Sequence, residues 1–371
     1  MKKLGFGFMR LPLLDENDVL SVDVDQLCRM VDTFIERGFT YFDTAYVYHK
    51  QQSEVFLKKV LTERYPRDKF QVATKLPMPM VNSVEDNEKL FNEELEKCGV
   101  EYFDYYLLHA MNAERFEKAK KYGSWEFLKK MKAEGKIKHI GFSFHDDVKL
   151  LEEMLTLWPE VEFVQLQINY IDWENPSIQA KECYDLCTKL GKPVIVMEPI
   201  KGGSLVDIPE EAEKLFKDYA PDASTASWAV RYAASLDNVM MVLSGMSNYS
   251  QLDDNTSYME NFVPLNEEEH TIVGKVVDII NSSIAIPCTA CQYCVDGCPM
   301  GIPIPKYFAL YNAELQALNK GFSTQQTYYT NMTVTLPKAS RCIGCGACEA
   351  SCPQHIGIID GVKLVAEKFE N

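Results

Sequence analysis

Eight of the 12 cysteines stand in two runs of matching spacing. "CTACQYCVDGCP" sets Cys288, Cys291, Cys294 and Cys298 ahead of Pro299, and "CIGCGACEASCP" sets Cys342, Cys345, Cys348 and Cys352 ahead of Pro353. Both read C-x2-C-x2-C-x3-C-P. Four thiolates this close can enclose a cubic iron–sulfur cluster, and in paired runs the fourth cysteine of each ligates the other cluster. The spacing therefore predicts two [4Fe–4S] clusters, one on Cys288, Cys291, Cys294 and Cys352, the other on Cys342, Cys345, Cys348 and Cys298. A zinc ribbon would instead separate two C-x2-C pairs by roughly 15–20 residues. Disulfides would need an oxidising compartment. The opening "MKKLGFGFMRLPLL" has no small-residue cleavage site, and Arg10 interrupts its apolar run, so a cytoplasmic location is expected. The other cysteines, Cys28, Cys98, Cys183 and Cys187, are scattered. Cys183 and Cys187 lie one helical turn apart and could share a ligand, but they read more simply as small buried apolar residues.

A length of 371 residues suits a barrel of about 250 residues with an appendage. The net charge of −16 argues against nucleic acid, whose phosphates demand a basic face. No run of about 18 apolar residues occurs, so no membrane span is expected.

The elements that would position this chemistry follow from patterning. Short β-branched or aromatic runs recur before residue 246: "LGFGF", "TYFDT", "FQVATK", "FDYYLLH", "IKHIGFS", "EFVQLQI", "PVIVME" and "VMMVLSG". Helical stretches such as "VDQLCRMVDTFIERG" separate them. Eight strands alternating with helices predict parallel βαβ units closed into a (β/α)8 TIM barrel. A doubly wound open sheet fares worse, because no G-x-G-x-x-G follows the first strand. Helices over about 250–260 and 267–281 complete a barrel domain, 1–283, and a ferredoxin-like iron–sulfur domain occupies 284–371. Between the cysteine runs, "PKYFALYNAELQALNKG" reads as a helix ending at Gly321 and "FSTQQTYYTNMTVTLPKAS" as loop.

In such a barrel, chemistry sits at the C-terminal ends of the strands. Those ends carry "FDTAYVY", "TK" and "LLH", so Asp43, Tyr48, Lys75 and His109 converge on one rim. Together "YFDTAYVY", "ATKL", "YYLLH", "IGFS" and "VQLQIN" resemble, in order and interval, the barrel motifs of aldo/keto reductases. The resemblance covers roughly residues 1–280, and the cysteine runs look like the branch bearing a C-terminal ferredoxin module. It implies hydride transfer from a nicotinamide to a carbonyl carbon. Tyr48 would supply the proton, Lys75 would lower its pKa, Asp43 would hold Lys75, and His109 would orient the carbonyl oxygen.

The same resemblance implies nucleotide contacts. Ser143 and Gln165 match residues that hold the nicotinamide amide, while Phe144 stands where Asn is usual. Met197 takes the place of a stacking aromatic ring, and "KGGSL", with Gly202 and Gly203, is similar to the loop after the pyrophosphate. In "SGMSNYSQLDDN", Ser247 and Asn255 remain, but Gly245 and Gln251 occupy places where NADP-preferring members carry cations. Charge-assisted bonds to phosphate contribute about 1.5–3 kcal/mol each, so strong NADP preference is not expected. A flavin in the pocket, or no nucleotide, stays open.

Nicotinamide delivers two electrons as hydride, whereas each cluster carries one. Three arrangements are compatible with that mismatch. The barrel reduces a small carbonyl substrate with NAD(P)H while the clusters are structural or regulatory. Alternatively, an external ferredoxin or similar carrier feeds electrons through the clusters to the barrel mouth. In the third, the barrel is an idle scaffold for an electron carrier or interaction module. Substrate specificity is expected from "AMNAERFEKAKKYG" after His109, with Trp173 and Met300 as further candidates.

Overall fold

The computed structural model describes residues 2–282, 285–288, 290–316, 323–352 and 354–371. The anticipated runs form eight strands: β1 (Leu4–Gly7), β2 (Tyr41–Asp43), β3 (Gln71–Leu76), β4 (Phe103–Met111), β5 (Ile137–Phe144), β6 (Phe163–Gln167), β7 (Val194–Met197) and β8 (Val239–Gly245). They pair in parallel in chain order, and β8 returns to β1 to close the barrel. The interior is filled by a layer of Tyr41, Ala73, Tyr105, Leu107, Phe163, Ile195, Met241 and Leu243. One close approach in that wall requires glycine. A Cβ on Gly141 of β5 would lie 2.4 Å from the Phe163 carbonyl oxygen, so any side chain there would force β5 and β6 apart.

The intervening helices begin where side chains satisfy free backbone N–H groups. Asp23 accepts from Gln26 N at the start of Val24–Glu36, and Ser83 with Asp86 forms a capping box on Val84–Cys98. Helices Tyr249–Glu260 and Glu267–Ser282 follow the last strand. The expected domain join at 283–284, and the expected helix end at Gly321, lie outside the described residues.

The cysteine-rich part repeats itself in backbone as well as in sequence. Short helices Tyr293–Asp296 and Ala347–Ala350 lie inside the two runs, and longer ones, Ile304–Leu315 and Ile358–Phe369, follow them at the same offset. Gln292 and Gly346 precede the short helices with φ of 70° and 79°. The longer helices pack together where Gly361 faces the Phe308 ring, which a Cβ would approach to 2.8 Å.

The segment expected as loop after Gly321 is instead helical over Thr324–Thr335. Its threonines are poor helix formers, which hid it. Ser323 caps the first turn by accepting from Gln326 N, and Tyr328 and Tyr329 are buried along its length. Tertiary burial thus overrides local propensity. This helix lies against the C-terminal rim of the barrel: Asn112 Nδ2 donates to Asn331 Oδ1 at 2.7 Å, and Asn331 Nδ2 donates to the His145 carbonyl at 3.0 Å. Ser177 also donates to the Lys306 carbonyl at 2.6 Å.

Candidate active site and cysteine cavities

Asp43 ends β2, Lys75 is the penultimate residue of β3, and His109 lies near the end of β4. Parallel register therefore brings three side chains from separate parts of the chain to one mouth, and Tyr48 follows in the turn after β2. Lys75, only 1% exposed, donates to Asp43 Oδ1 at 2.6 Å and to the Thr44 carbonyl at 2.7 Å. Its ammonium lies 5.1 Å from the centre of the Tyr48 ring, and that ring meets His109 edge-on at 5.9 Å.

The electrostatics divide the roles. Burial works against the Lys75 charge, yet Asp43 and Tyr48 together hold its pKa above the usual lysine range. Burial pushes the Tyr48 phenol up, Lys75 pulls it back, and the balance stays above the ordinary value. Burial, then Lys75, Arg115 and His145, keep His109 well below the usual histidine range, so it is neutral at pH 7.

His109 sits in an irregularity of β4. Leu108 pairs with Phe142 and Met111 with Phe144, so β4 carries one extra residue there. Such a bulge re-aims a side chain. Its cost falls on Ala110, at φ 53°, a backbone region a non-glycine residue rarely adopts. Two contacts pin that peptide: Ser143 Oγ accepts from Ala110 N at 2.7 Å, and Arg115 donates to the Ala110 carbonyl.

In the C-terminal part, Cys288, Cys291, Cys294 and Cys352 line one cavity with Ile304, Pro305, Phe308 and Ile358. Cys298, Cys342, Cys345 and Cys348 line a second with Met300, Ile302 and Ile359. Each cavity takes three cysteines from one run and the fourth from the other. Among the described residues, no three His, Cys, Asp or Glu side chains close on a point as one metal ion requires. Quartets around apolar cavities are the donor arrangement of a multi-iron cluster. Cys291 and Cys345 are exposed.

A model of the aldo/keto reductase family matches residues 3–278. The chain belongs to this family. A 4Fe-4S dicluster domain matches residues 287–356. Among curated relatives, the chain is 29% identical to a probable aldo-keto reductase 1 of Glycine max, over 55% of this chain and 57% of that one. It is 26% identical to a 9,11-endoperoxide prostaglandin H2 reductase of Trypanosoma cruzi, over 55% of this chain and 63% of the relative. The chain thus spans about three fifths of the length of these relatives. A solved aldo-keto reductase from Bacillus halodurans, in its holo form, superposes with TM-score 0.57 at 24% identity, covering 74% of this chain and 91% of that one. One from Klebsiella pneumoniae in complex with NADPH gives 0.57 at 18%, covering 74% and 90%. These likenesses carry the barrel fold.

The residues expected to contact a nucleotide lie near the C-terminal ends of β5 to β8 or in the segments that follow them. Ser143 and Gln165 are paired across β5 and β6 and buried, and the Gln165 amide lies 3.6 Å from the Met197 sulfur. Lys201, Gly202 and Gly203 all have positive φ. That loop is anchored by Lys201, which is buried against Asp172, itself accepting from Gln167 and Asn169 at 2.9 Å each. Gln251 accepts from Ser247 N at 2.7 Å. Asn255 is engaged on both sides, donating to Ser244 and accepting from Tyr258.

Several residues at the mouth carry no sequence motif. Glu198, also at positive φ, accepts from Gly202 N–H and lies within the field of Arg10, Lys201 and Tyr48; burial raises its pKa. Arg10 packs beside Gly245. Arg115 and His145 flank His109. The expected specificity loop after His109 is mostly helix, Ala113–Lys121, because Asn112 caps it by accepting from Arg115 N at 2.8 Å. Of the other candidates, Met300 lines the second cysteine cavity, and Trp173 packs on Tyr184 and Tyr232. Cys183 and Cys187 are buried on helix Ala180–Lys189.

Proposed function

We propose that the barrel is an NAD(P)H-dependent carbonyl reductase in which Tyr48 is the proton donor, and that the cysteine quartets hold two [4Fe–4S] clusters. The observation that carries the reading is the Lys75 ammonium held on Asp43 beside the Tyr48 ring, with a neutral His109 edge-on to that ring. His109 donates a hydrogen bond to the substrate carbonyl oxygen and fixes it beside Tyr48. Tyr48 gives its proton to that oxygen as negative charge develops there. Lys75 remains cationic and stabilises the phenolate left behind, while Asp43 fixes its position. Without Lys75, burial alone would hold the phenol too weakly acidic to donate.

Bound NAD(P)H would supply the hydride to the carbonyl carbon, and bound clusters would carry single electrons. Ser143, Gln165 and Met197 would hold the nicotinamide end, Gly202 and Gly203 the pyrophosphate, and Gly245, Ser247 and Gln251 the adenosine end, with Asn255 supporting that wall. The pocket fits such a group at one orphaned atom: buried Asp43 Oδ2 has no partner among the described residues and is free to accept from a hydroxyl. The quartets of Cys288, Cys291, Cys294 and Cys352 and of Cys298, Cys342, Cys345 and Cys348 fit clusters by donor number and cavity.

A second reading is favoured by the helix Thr324–Thr335 packed on the barrel rim and by the exposure of Cys291 and Cys345. In it, an external one-electron carrier docks at the clusters and electrons pass to the barrel mouth through a mediator such as a flavin. Adding NADH or NADPH anaerobically to the iron-replete protein separates the two. Aldehyde turnover without bleaching of cluster absorption supports the reductase; bleaching supports electron transfer, and neither response overturns both.

A further inference from the structure

Arg115 is a cation that forms no ion pair among the described residues, at the mouth of a chain whose net charge is −16. It lies in the first turn of helix Ala113–Lys121, directly beyond β4. It is half-buried, and no ion pair to it occurs among the described residues, although 17 of the other lysines and arginines make one or more. Its guanidinium donates to the carbonyl of Ala110, the residue after His109. Asp146 accepts from Ala113 N and Asp147 N. Glu114 is exposed and makes no ion pair with Arg115; burial outweighs its attraction, so the Arg115 pKa lies below the usual arginine value.

A second polar group waits beside it. His145, at the end of β5, is 9% exposed, and its Nδ1 is buried with no partner among the described residues. Its backbone is tied to Asn331 and its ring meets Tyr328 edge-on at 5.7 Å. The wall on this side of His109 is therefore partly made by the cysteine-rich domain. Burial first, and then nearby cations, hold both imidazoles below the usual histidine range, and Arg115 is among those cations for His109 and for His145. A half-buried cation in no ion pair and a buried imidazole nitrogen without a partner among the described residues both lack what a carboxylate provides.

We propose that the carbonyl substrate carries a carboxylate, bound by Arg115 with a hydrogen bond from His145, while its carbonyl lies against Tyr48 and His109. The substrate class is thus an oxo acid or carboxylate-bearing aldehyde. This inference rests on the carbonyl-reductase reading and narrows it. The hydrogen bond from Arg115 to Ala110 also supports the bulge, a role that would affect every substrate alike. A carboxylate contact affects only the charged one.

The test compares 4-oxobutanoate with butanal, an uncharged aldehyde of the same chain length, in wild type, Arg115→Gln and Arg115→Lys. Wild type is expected to favour the oxo acid in kcat/KM. R115Q should cut that ratio by roughly 10- to 100-fold, the scale of charge-assisted hydrogen bonds to a carboxylate, and R115K should retain much of it. Equal use of the two aldehydes by wild type, or an unchanged ratio in R115Q, overturns the proposal. If wild type reduces neither aldehyde, hydride chemistry is what has failed, and succinate then tests the site alone. A rise in thermal midpoint with succinate in wild type but not in R115Q supports the site, and no rise in wild type overturns it.

Discussion

The barrel mouth and the cysteine domain assemble reactive groups in opposite ways. At the mouth, Asp43, Lys75 and His109 come from three strands, and only parallel register makes them neighbours. In the cysteine domain, three members of each quartet lie within seven residues of chain, and tertiary structure contributes only the exchange of the fourth. The mouth therefore depends on a rigid, closed framework that buries charged groups: Lys75 is 1% exposed, with its counter-ion 2.6 Å away. The cysteine domain keeps Cys291 and Cys345 at the surface. Buried charge demands paired partners, whereas a redox group gains from proximity to a partner's surface.

The largest effect that would sharpen this contrast is Tyr48→Phe. Loss of a general acid should lower kcat by about 10²–10⁴-fold while cluster absorption and nucleotide binding stay as in wild type. Retained turnover would remove Tyr48 from the role. In the cysteine domain, Cys352→Ser tests the exchange of ligands. It should abolish the same electron paramagnetic resonance signal as Cys288→Ser and spare the one lost in Cys342→Ser; matching Cys342→Ser instead would mean each run holds its own cluster.

A smaller effect is expected at Glu198. Its carboxylate already takes the Gly202 N–H, in the loop proposed to receive pyrophosphate. Glu198→Gln should tighten NAD(P)H on the order of tenfold by removing one like charge. Because the carboxyl pKa is raised, wild-type affinity should also improve as pH falls and the group takes up a proton. Titration by fluorescence checks both, and weaker binding in the variant would refute the assignment of that loop.

The smallest effect is on stability. Burial, with the nearby Arg115 charge, lowers His145 to about 4. The unfolded chain takes up a proton near the ordinary pKa of about 6.5, whereas the folded chain does so only near 4. The contribution is therefore complete above pH 6.5 and lost as pH falls from 6.5 towards 4. Thermal midpoints over that range should fall less steeply in His145→Gln, and equal slopes would mean His145 contributes nothing.

Several features were legible because local sequence determines them. Each of the eight strands lies within a residue or two of its apolar run, since β-branched and aromatic residues between capped helices have few alternatives. Both cysteine runs declare their spacing directly. The Thr324–Thr335 helix was hidden because its stability comes from burying Tyr328 and Tyr329 rather than from propensity. Glu198, Arg115 and His145 lie in or beside segments the sequence singles out, but no residue type or spacing there marks these three side chains for a role. Met300, a candidate for substrate specificity, lines a cysteine cavity, a contact that sequence distance does not reveal.

What the sequence determined by itself was the kind of element at each position and the chemistry of its local clusters, because helix capping, strand patterning and ligand spacing act over a few residues. Tertiary structure decided which charges became neighbours. Closure of the barrel buried Lys75 against Asp43 and beneath Tyr48, the one-residue bulge aimed His109, and packing of Thr324–Thr335 on the rim brought Tyr328 and Asn331 to His145. Those pairings join residues tens to hundreds of positions apart, and the forces between them exist only once burial has removed the water that would screen them.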